Sequence, residues 1–352
     1  MQSGYNVDAM VSDTNPIPTQ FEIQKIPSED PNITLDVEEY IERERLNYTH
    51  RFCDLWRSEP VVNGTYYWVF RDTALPSENF EDIVCACEFV VRDSYYFDKS
   101  LHQCKCAAIG SVYTLEQHRK KGYATEMMEQ LVEKMKELFR GEYDFSFLYS
   151  EVGEYYSRFG FRSHHVPVAL LETGKKTEIE YSYVTEENLP KFIDQYDAKV
   201  RQMAQATPTS VAVKPSVQNI EWFQNRSIHL AKLQKREFDG NRFGIHIGSA
   251  FALWYYEFGD DQVTLIMLDA ETPDQTRKLL ECCMAECCAV KKIKIWHDEL
   301  VYHAGEKDEA ALGLVTELGG SVGHTNESLS ALSMLHSSSQ PAWVANGKWA
   351  WY

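Results

Sequence analysis

Residues Ile109–Phe139, IGSVYTLEQHRKKGYATEMMEQLVEKMKELF, constrain the fold more than any other stretch of this 352-residue chain. Apolar β-formers open the stretch, a polar turn follows, and a long helical pattern closes it. The turn reads Arg119-Lys120-Lys121-Gly122-Tyr123-Ala124, that is, Arg-x-x-Gly-x-Ala. A glycine there lets the backbone turn sharply with its N–H groups outward. The helix start adds its own unpaired N–H groups and the positive end of its dipole. Three cations beside it complete an anion site suited to a diphosphate. Ala124, Met128, Leu131, Met135 and Leu138 recur at helical spacing and predict one apolar face. Taken alone, these six residues suit a solvated basic turn equally well.

The segments downstream of the helix add weight to the anion-site reading. A short strand, Asp144–Ser150 (DFSFLYS), comes after the helix, and then Glu154–Phe161 (EYYSRFGF). The order strand, Arg-x-x-Gly-x-Ala, helix, strand, Tyr-x-x-x-Gly-Phe resembles the acetyl-coenzyme A-binding core of the GNAT superfamily of N-acetyltransferases. SVYTLEQHRKKGYA followed by LYSEVGEYYSRFGF is similar, more narrowly, to the fungal lysine N6-acetyltransferase group of lysine catabolism. In that group a Leu-Tyr-Ser-acid-hydrophobic-Gly run precedes the tyrosine element, and tryptophan-rich sequence closes the chain. The resemblance implies an α/β (α+β) GNAT fold, a mixed central sheet flanked by helices. It also implies acetyl-coenzyme A as co-substrate, with no metal expected.

Composition narrows the partners. The 35 basic and 53 acidic residues leave a formal net charge of −18. Such a surface repels nucleic acid and anionic membranes, and it favours a cationic substrate such as lysine or a basic protein segment. Solubility alone accounts for it equally well. The sequence contains no apolar run of about eighteen residues and no signal-peptide pattern at MQSGYNVDAM, so a soluble cytoplasmic protein is expected. Nine cysteines and no secretion signal predict reduced thiols. The Cys85/Cys87 and Cys104/Cys106 pairs lack the usual spacing of zinc ligands and read instead as buried strand residues. Cys283 and Cys287 lie one helical turn apart in a core stripe.

The chain divides into three parts. Residues 1–20 are expected as a flexible tail, 21–174 as the acetyl-coenzyme A-binding GNAT domain, and 175–352 as a GNAT-like domain contributing to the substrate pocket. In the first domain, strands are expected at Phe21–Ile26, Tyr66–Arg71, Ile83–Val91 and Lys105–Thr114, with a helix from Thr34 to about Trp56 and a closing strand at Val166–Leu171. In the second, Thr185 is expected to cap a helix through Met203, and a second helix runs from Ile220 to Leu233. Phe251–Phe258 and Val263–Asp269 form a hairpin. Thr272-Pro273-Asp274-Gln275 opens a helix through Ala289, and Lys292–Trp296 is a strand. The order repeats that of the first half, as a degenerate copy would. ETPDQTRKLL offers no glycine turn before its helix, so one acetyl-coenzyme A site per chain is expected.

The resemblance also implies roles. Backbone of Val112, Tyr113 and Thr114 pairs with the pantetheine arm, and amides of Arg119, Lys120, Lys121, Gly122, Tyr123, Ala124 and Thr125 hold the diphosphate. Tyr156, four residues before Gly160, matches the tyrosine that protonates the departing thiolate. Tyr155 is its rival, and a core tyrosine packing with Phe159 and Phe161 is the plain alternative. Ser150 and Gly153 stand where many members have asparagine and alanine, which puts cofactor contacts after Ser150 in doubt. No base declares itself: Glu88, Glu116, Glu151 and ordered water all remain open. The Tyr352 carboxylate is a further candidate, because some tandem acetyltransferases bring their terminus into the active site. The activity implied is acetyl transfer to a primary amine, foremost the ε-amino group of free lysine. A polyamine, a protein lysine, or a non-catalytic acetyl-coenzyme A sensor are the alternatives.

Overall fold

The computed structural model describes residues 21–27, 65–76, 81–301 and 309–351. The expected tail, the helix from Thr34 to Trp56, Cys53 and Tyr352 lie outside the described residues. Within them the chain forms two units.

The first unit holds residues up to Arg92, Lys105–Ser163 and Ala331–Ser338. Its strands are β1 (Phe21–Pro27), β2 (Thr65–Asp72), β3 (Ile83–Phe97) and β4 (Leu101–Thr114). Helix α1 (Tyr123–Leu138) leads to β5 (Phe145–Ser150), a 3₁₀ helix (Gly153–Phe159) and β6 (Arg162–His164). A strand from far downstream, β15 (Leu329–Met334), enters the sheet, whose order is β1-β2-β3-β4-β5-β15-β6. The first strands pair antiparallel, whereas β4 and β5 run parallel because α1 carries the chain back between them. Met127, Met128, Leu131 and Met135 of α1 pack on Cys85, Cys87 and Phe89 of β3. Tyr123 is buried as well, whereas Leu138 is 46% exposed. At the end of the helix the apolar contact passes from Leu138 to Phe139, which is buried with its ring 5.9 Å from Phe89 of β3.

The second unit holds Asp93–Cys104, His164–Ser330 and Ser339–Tyr352. In chain order it contains β7 (Val168–Glu172), β8 (Ser182–Tyr183), α2 (Leu189–Ala206), β9 (Ser210–Val213) and α3 (Val217–Gln234). Then come β10 (Gly244–Ile247), β11 (Ala250–Glu257), β12 (Gln262–Asp269), α4 (Pro273–Glu286) and β13 (Lys292–Trp296). The helix α5 (Glu309–Glu317), β14 (Ser321–His324) and β16 (Ala342–Trp343) complete it. Seven of these strands form a sheet in the order β14-β7-β13-β12-β11-β10-β8. The outer end of β3 pairs with β9, and β9 with β16.

Two expectations change here. The strand expected to close the first domain is β7, which pairs with β13 and β14 of the second sheet. Helix α2 starts at Leu189 behind Asn188, not at Thr185, because Thr185–Asn188 forms its own turn, with Asn188 Oδ1 accepting from Thr185 N at 2.8 Å. The cap at α4 is as expected: Thr272 Oγ1 accepts from Gln275 N at 3.3 Å. Gln275 Oε1 reaches past the cap to accept from Glu271 N at 2.7 Å. The second half repeats the hairpin, helix and parallel strand of the first: β11 and β12 pair antiparallel, α4 follows, and β13 lies parallel to β12. The second half is thus a repeat of the first in element order, as expected.

Candidate active site

In the first unit β4 and β5 pair from Cys106 and Phe145 as far as Ile109 and Leu148. Two residues later Ser111 has φ +49°, a left-handed conformation that costs an L-residue about 1–2 kcal/mol. Its Oγ donates to Oε1 of buried Glu88 on β3 at 2.6 Å. Leu115 N donates to Val84 O, so Ser111 stands across from Glu88 and Thr114 across from Cys85. Cys85 Sγ and Thr114 Oγ1 lie 3.1 Å apart. Val112, Tyr113 and Thr114 thus continue along β3 beyond the point where the ladder to β5 ends. A gap between parallel strands, edged by main-chain N–H and C=O groups, can hold an extended chain such as a pantetheine arm.

At the end of β4 the backbone turns through two left-handed residues, Lys120 (φ +63°) and Gly122 (φ +83°). The first bond of α1 runs from Glu126 N to Gly122 O at 3.1 Å. The amides of Tyr123, Ala124 and Thr125 therefore have no acceptor within the helix, and they lie at its positive end. Of the three expected cations, Arg119 is tied back. Its Nε donates to Thr114 O at 3.2 Å and its Nη2 to Tyr113 Oη at 3.3 Å, with the guanidinium 5.4 Å over the Tyr113 ring. Arg119 braces the end of β4 to the turn. Lys121 lies 5.9 Å over the ring of Tyr123, and both lysines are exposed. A diphosphate fits a cradle made by this turn and helix start.

Tyr156 sits in the 3₁₀ helix after β5, half-buried among Tyr155 at 5.1 Å, Phe161 at 6.3 Å and Phe159 at 6.4 Å. Burial, followed by the neighbouring Tyr155, Cys87, Cys85 and Glu151, pushes its phenol well above the usual tyrosine range. Burial also pushes the Cys85 thiol up to about 12, so this wall is uncharged. Tyr155, the rival, has its hydroxyl 3.3 Å from Thr125 Oγ1 and the Arg158 guanidinium 4.8 Å over its ring. Ser150 closes the turn behind β5, donating to Gly153 O at 2.7 Å and accepting from Val152 N at 3.2 Å. Gly153 has φ +61°, which explains a glycine at that position. Glu116 and Glu151 are exposed, and Glu88 is bonded to Ser111. The sequence reading missed Ser111, although Gly110 inside a strand pattern is the usual mark of a bulge. Among the described residues, no three His, Cys, Asp or Glu side chains gather as a metal site.

The corresponding split in the second unit is filled. Pairing of β12 with β13 ends at Leu265 and Ile295. Beyond it, Leu268 N donates to Glu299 Oε2 at 3.2 Å, and Tyr196 Oη donates to the same oxygen at 2.8 Å. The Gly347–Ala350 turn packs there too, with Trp349 and Ala350 fully buried and the Trp349 ring 5.8 Å from Tyr196. A Cβ on Gly347 would lie 2.0 Å from Glu299 Oε1. The aromatic end of the chain is core, as far as it is described.

A family model described as LYC1 GNAT-like C-terminal domain matches residues 165–352, and one described as Acetyltransferase (GNAT) domain matches residues 92–163. The uncharacterized protein YGR111W of Saccharomyces cerevisiae is 24% identical over 376 residues, spanning 90% of this chain and 91% of its own length. A GCN5-related N-acetyltransferase from Anabaena variabilis superposes with a TM-score of 0.54 at 12% identity, covering 89% of this chain and 73% of that one. One from Kribbella flavida gives 0.52 at 12% identity, covering 90% and 72%. At such identities the likeness concerns the fold.

Proposed function

The chain is a GNAT acetyltransferase, belonging to the family that carries the LYC1 GNAT-like C-terminal domain, and we propose that it moves an acetyl group from acetyl-coenzyme A to a primary amine, foremost the ε-amino group of free lysine. The observation that carries this reading is that pairing of β4 with β5 ends at Ile109 and Leu148 while β4 runs on to Thr114, ahead of the Gly122 helix start. The lysine acceptor is supported by the resemblance across Leu148–Phe161 and by the net charge of −18. The described cysteines are free thiols, which suits the reducing cytoplasm. One cofactor site per chain is proposed, because the second split is filled by Glu299 and the Gly347–Ala350 turn.

Acetyl-coenzyme A, when bound, supplies an acetyl group activated as a thioester. Main-chain groups of Val112–Thr114 would hold its pantetheine arm, and amides from Arg119 to Thr125 its diphosphate. Such positioning is a large part of catalysis by proximity. A neutral amine nitrogen attacks the carbonyl carbon, the C–N bond forms and the C–S bond breaks. The amine loses a proton to solvent, and Tyr156 Oη gives one to the departing sulfur and is reprotonated from solvent, so that the acid form is restored for the next turnover. An alkylammonium has a pKa near 10.4, so the rate should rise with pH as the neutral amine becomes available.

Release of free thiol from acetyl-coenzyme A, offered lysine, polyamines, aminoglycosides and a basic peptide in turn, tests the reading. Turnover with lysine supports it, and turnover only with another amine replaces the acceptor. Tight cofactor binding with no amine-dependent release makes the protein a sensor. Gly122→Ala should weaken coenzyme A binding about tenfold, since alanine at φ +83° is strained by about 1 kcal/mol or more. Calorimetric titration measures it, and unchanged affinity would place the diphosphate elsewhere.

A further inference from the structure

The geometry points to Glu88 and Ser111 as a positioning pair, whose hydrogen bond holds the left-handed residue in β4 and thereby sets the cofactor strand Val112–Thr114. This rests on the acetyl-transfer reading above. Three observations converge on the pair. Ser111 is a non-glycine residue at φ +49° in the middle of a strand, and such a conformation persists only where the surroundings fix it. Its hydroxyl spans the β3–β4 pair to the carboxylate of Glu88, which is only 4% exposed, over 2.6 Å. The change of backbone direction falls between Ile109, where pairing with β5 ends, and Val112, where the proposed cofactor edge begins.

The alternation of β3 separates this pair from the proton donor. Cys85 and Cys87 belong to the α1-side core against which Tyr156 packs, so Glu88, one residue on, faces the other side of the sheet. Glu88 is thus a brace for the strand. The serine does with a side-chain tether what glycine would do by conformational freedom. That difference makes the idea testable, because glycine at 111 can dispense with the tether and alanine cannot.

Full-length Ser111→Ala, Ser111→Gly, Glu88→Ala and Glu88→Ala/Ser111→Gly proteins would be compared with wild type. The readouts are calorimetric affinity for coenzyme A, and KM and kcat for acetyl-coenzyme A. Ser111→Ala and Glu88→Ala should each weaken binding and raise KM about tenfold, with kcat falling less than about threefold, since uniform binding rather than chemistry is lost. Ser111→Gly should stay within about threefold of wild type, and in the double variant glycine should rescue the loss caused by Glu88→Ala. Equal impairment by glycine and alanine would overturn the assignment. So would a Glu88→Ala protein whose kcat collapses and is not rescued. If Glu88→Ala does not fold, the contrast of alanine with glycine at 111 decides alone. Wild type that binds coenzyme A while Ser111→Ala binds it equally well sinks the pair only. Wild type that binds none sinks the acetyl-transfer reading and the pair with it.

Discussion

Tyr156→Phe is expected to lower kcat by roughly 10²–10³-fold, the range set by loss of a general acid, while KM for acetyl-coenzyme A changes less than about threefold. Phenylalanine keeps the edge contacts with Tyr155, Phe159 and Phe161, so the 3₁₀ helix and the core beneath it should be undisturbed. Only the hydroxyl goes. In wild type that hydroxyl is held protonated chiefly by burial, with the Glu151 carboxylate just beyond β5 adding to the rise. Because the shift is upward, the acid form persists through the alkaline range in which the amine becomes neutral. The wild-type rate should therefore rise with pH without an alkaline fall from this group. Tyr155→Phe is the control, since it removes a 3.3 Å contact with Thr125 Oγ1 and leaves Tyr156 in place. It should cost less than about fivefold. A Tyr156→Phe enzyme as fast as wild type would return the residue to a packing role and leave the thiolate to be protonated by solvent.

Local physics made part of this legible beforehand. Strand, glycine turn and helix at 109–139 announced themselves because a positive-φ residue and a periodic apolar face are both written in adjacent residues. The β11–β12 hairpin and the Thr272 cap were readable for the same reason. What could not be read is long-range. Nothing in LSALSM shows that it will insert beside β5, some 180 residues earlier, because any apolar alternation is equally suited to any sheet. For the same reason the sequence leaves β7 free to suit either sheet, and it joins β13 in the second. β3 runs further than expected because its outer end, Ser94–Phe97, pairs with β9, more than a hundred residues along the chain. Around the candidate site the Gly122 turn was legible from its glycine, whereas the diversion of Arg119 to Tyr113 and Thr114 required the fold. Electrostatic expectation alone would have left that guanidinium to an anion.

Glu299→Gln is expected to make the second unit more stable above pH 8 and to leave it about as stable as wild type near pH 5. Glu299 is 1% exposed, and burial pushes its carboxyl up to about 8 against the partial relief of Tyr196, Lys199 and Leu268 N, with Asp298 adding to the rise. The relief from Lys199 is partial, because that ammonium also faces Asp269 Oδ1 at 3.2 Å and donates to Leu268 O at 3.1 Å. The sign follows from linkage. Below the ordinary carboxyl range the group is protonated folded and unfolded, and its contribution is fully present. Between there and about pH 8 the unfolded chain gives up the proton while the folded chain keeps it, so stability falls as pH rises. The whole loss is on the order of 3–5 kcal/mol, a large share of the stability of any domain. Glutamine copies the protonated acid: its oxygen can accept from Tyr196 and Leu268 N, and its amide occupies the place of Oε1 beside Gly347. Urea unfolding at pH 5 and pH 8.5 would measure the effect through tryptophan emission, since Trp222, Trp254, Trp296, Trp343, Trp349 and Trp351 all lie in this unit. A midpoint equally pH-dependent in variant and wild type would show that another group carries the titration. A variant destabilised at both pH values would show that the carboxylate is ionised and needed. The expected outcome ties the filled split of the second unit to its acid form, and so the packing of the Gly347–Ala350 turn should loosen on the alkaline side, where the first unit's chemistry quickens.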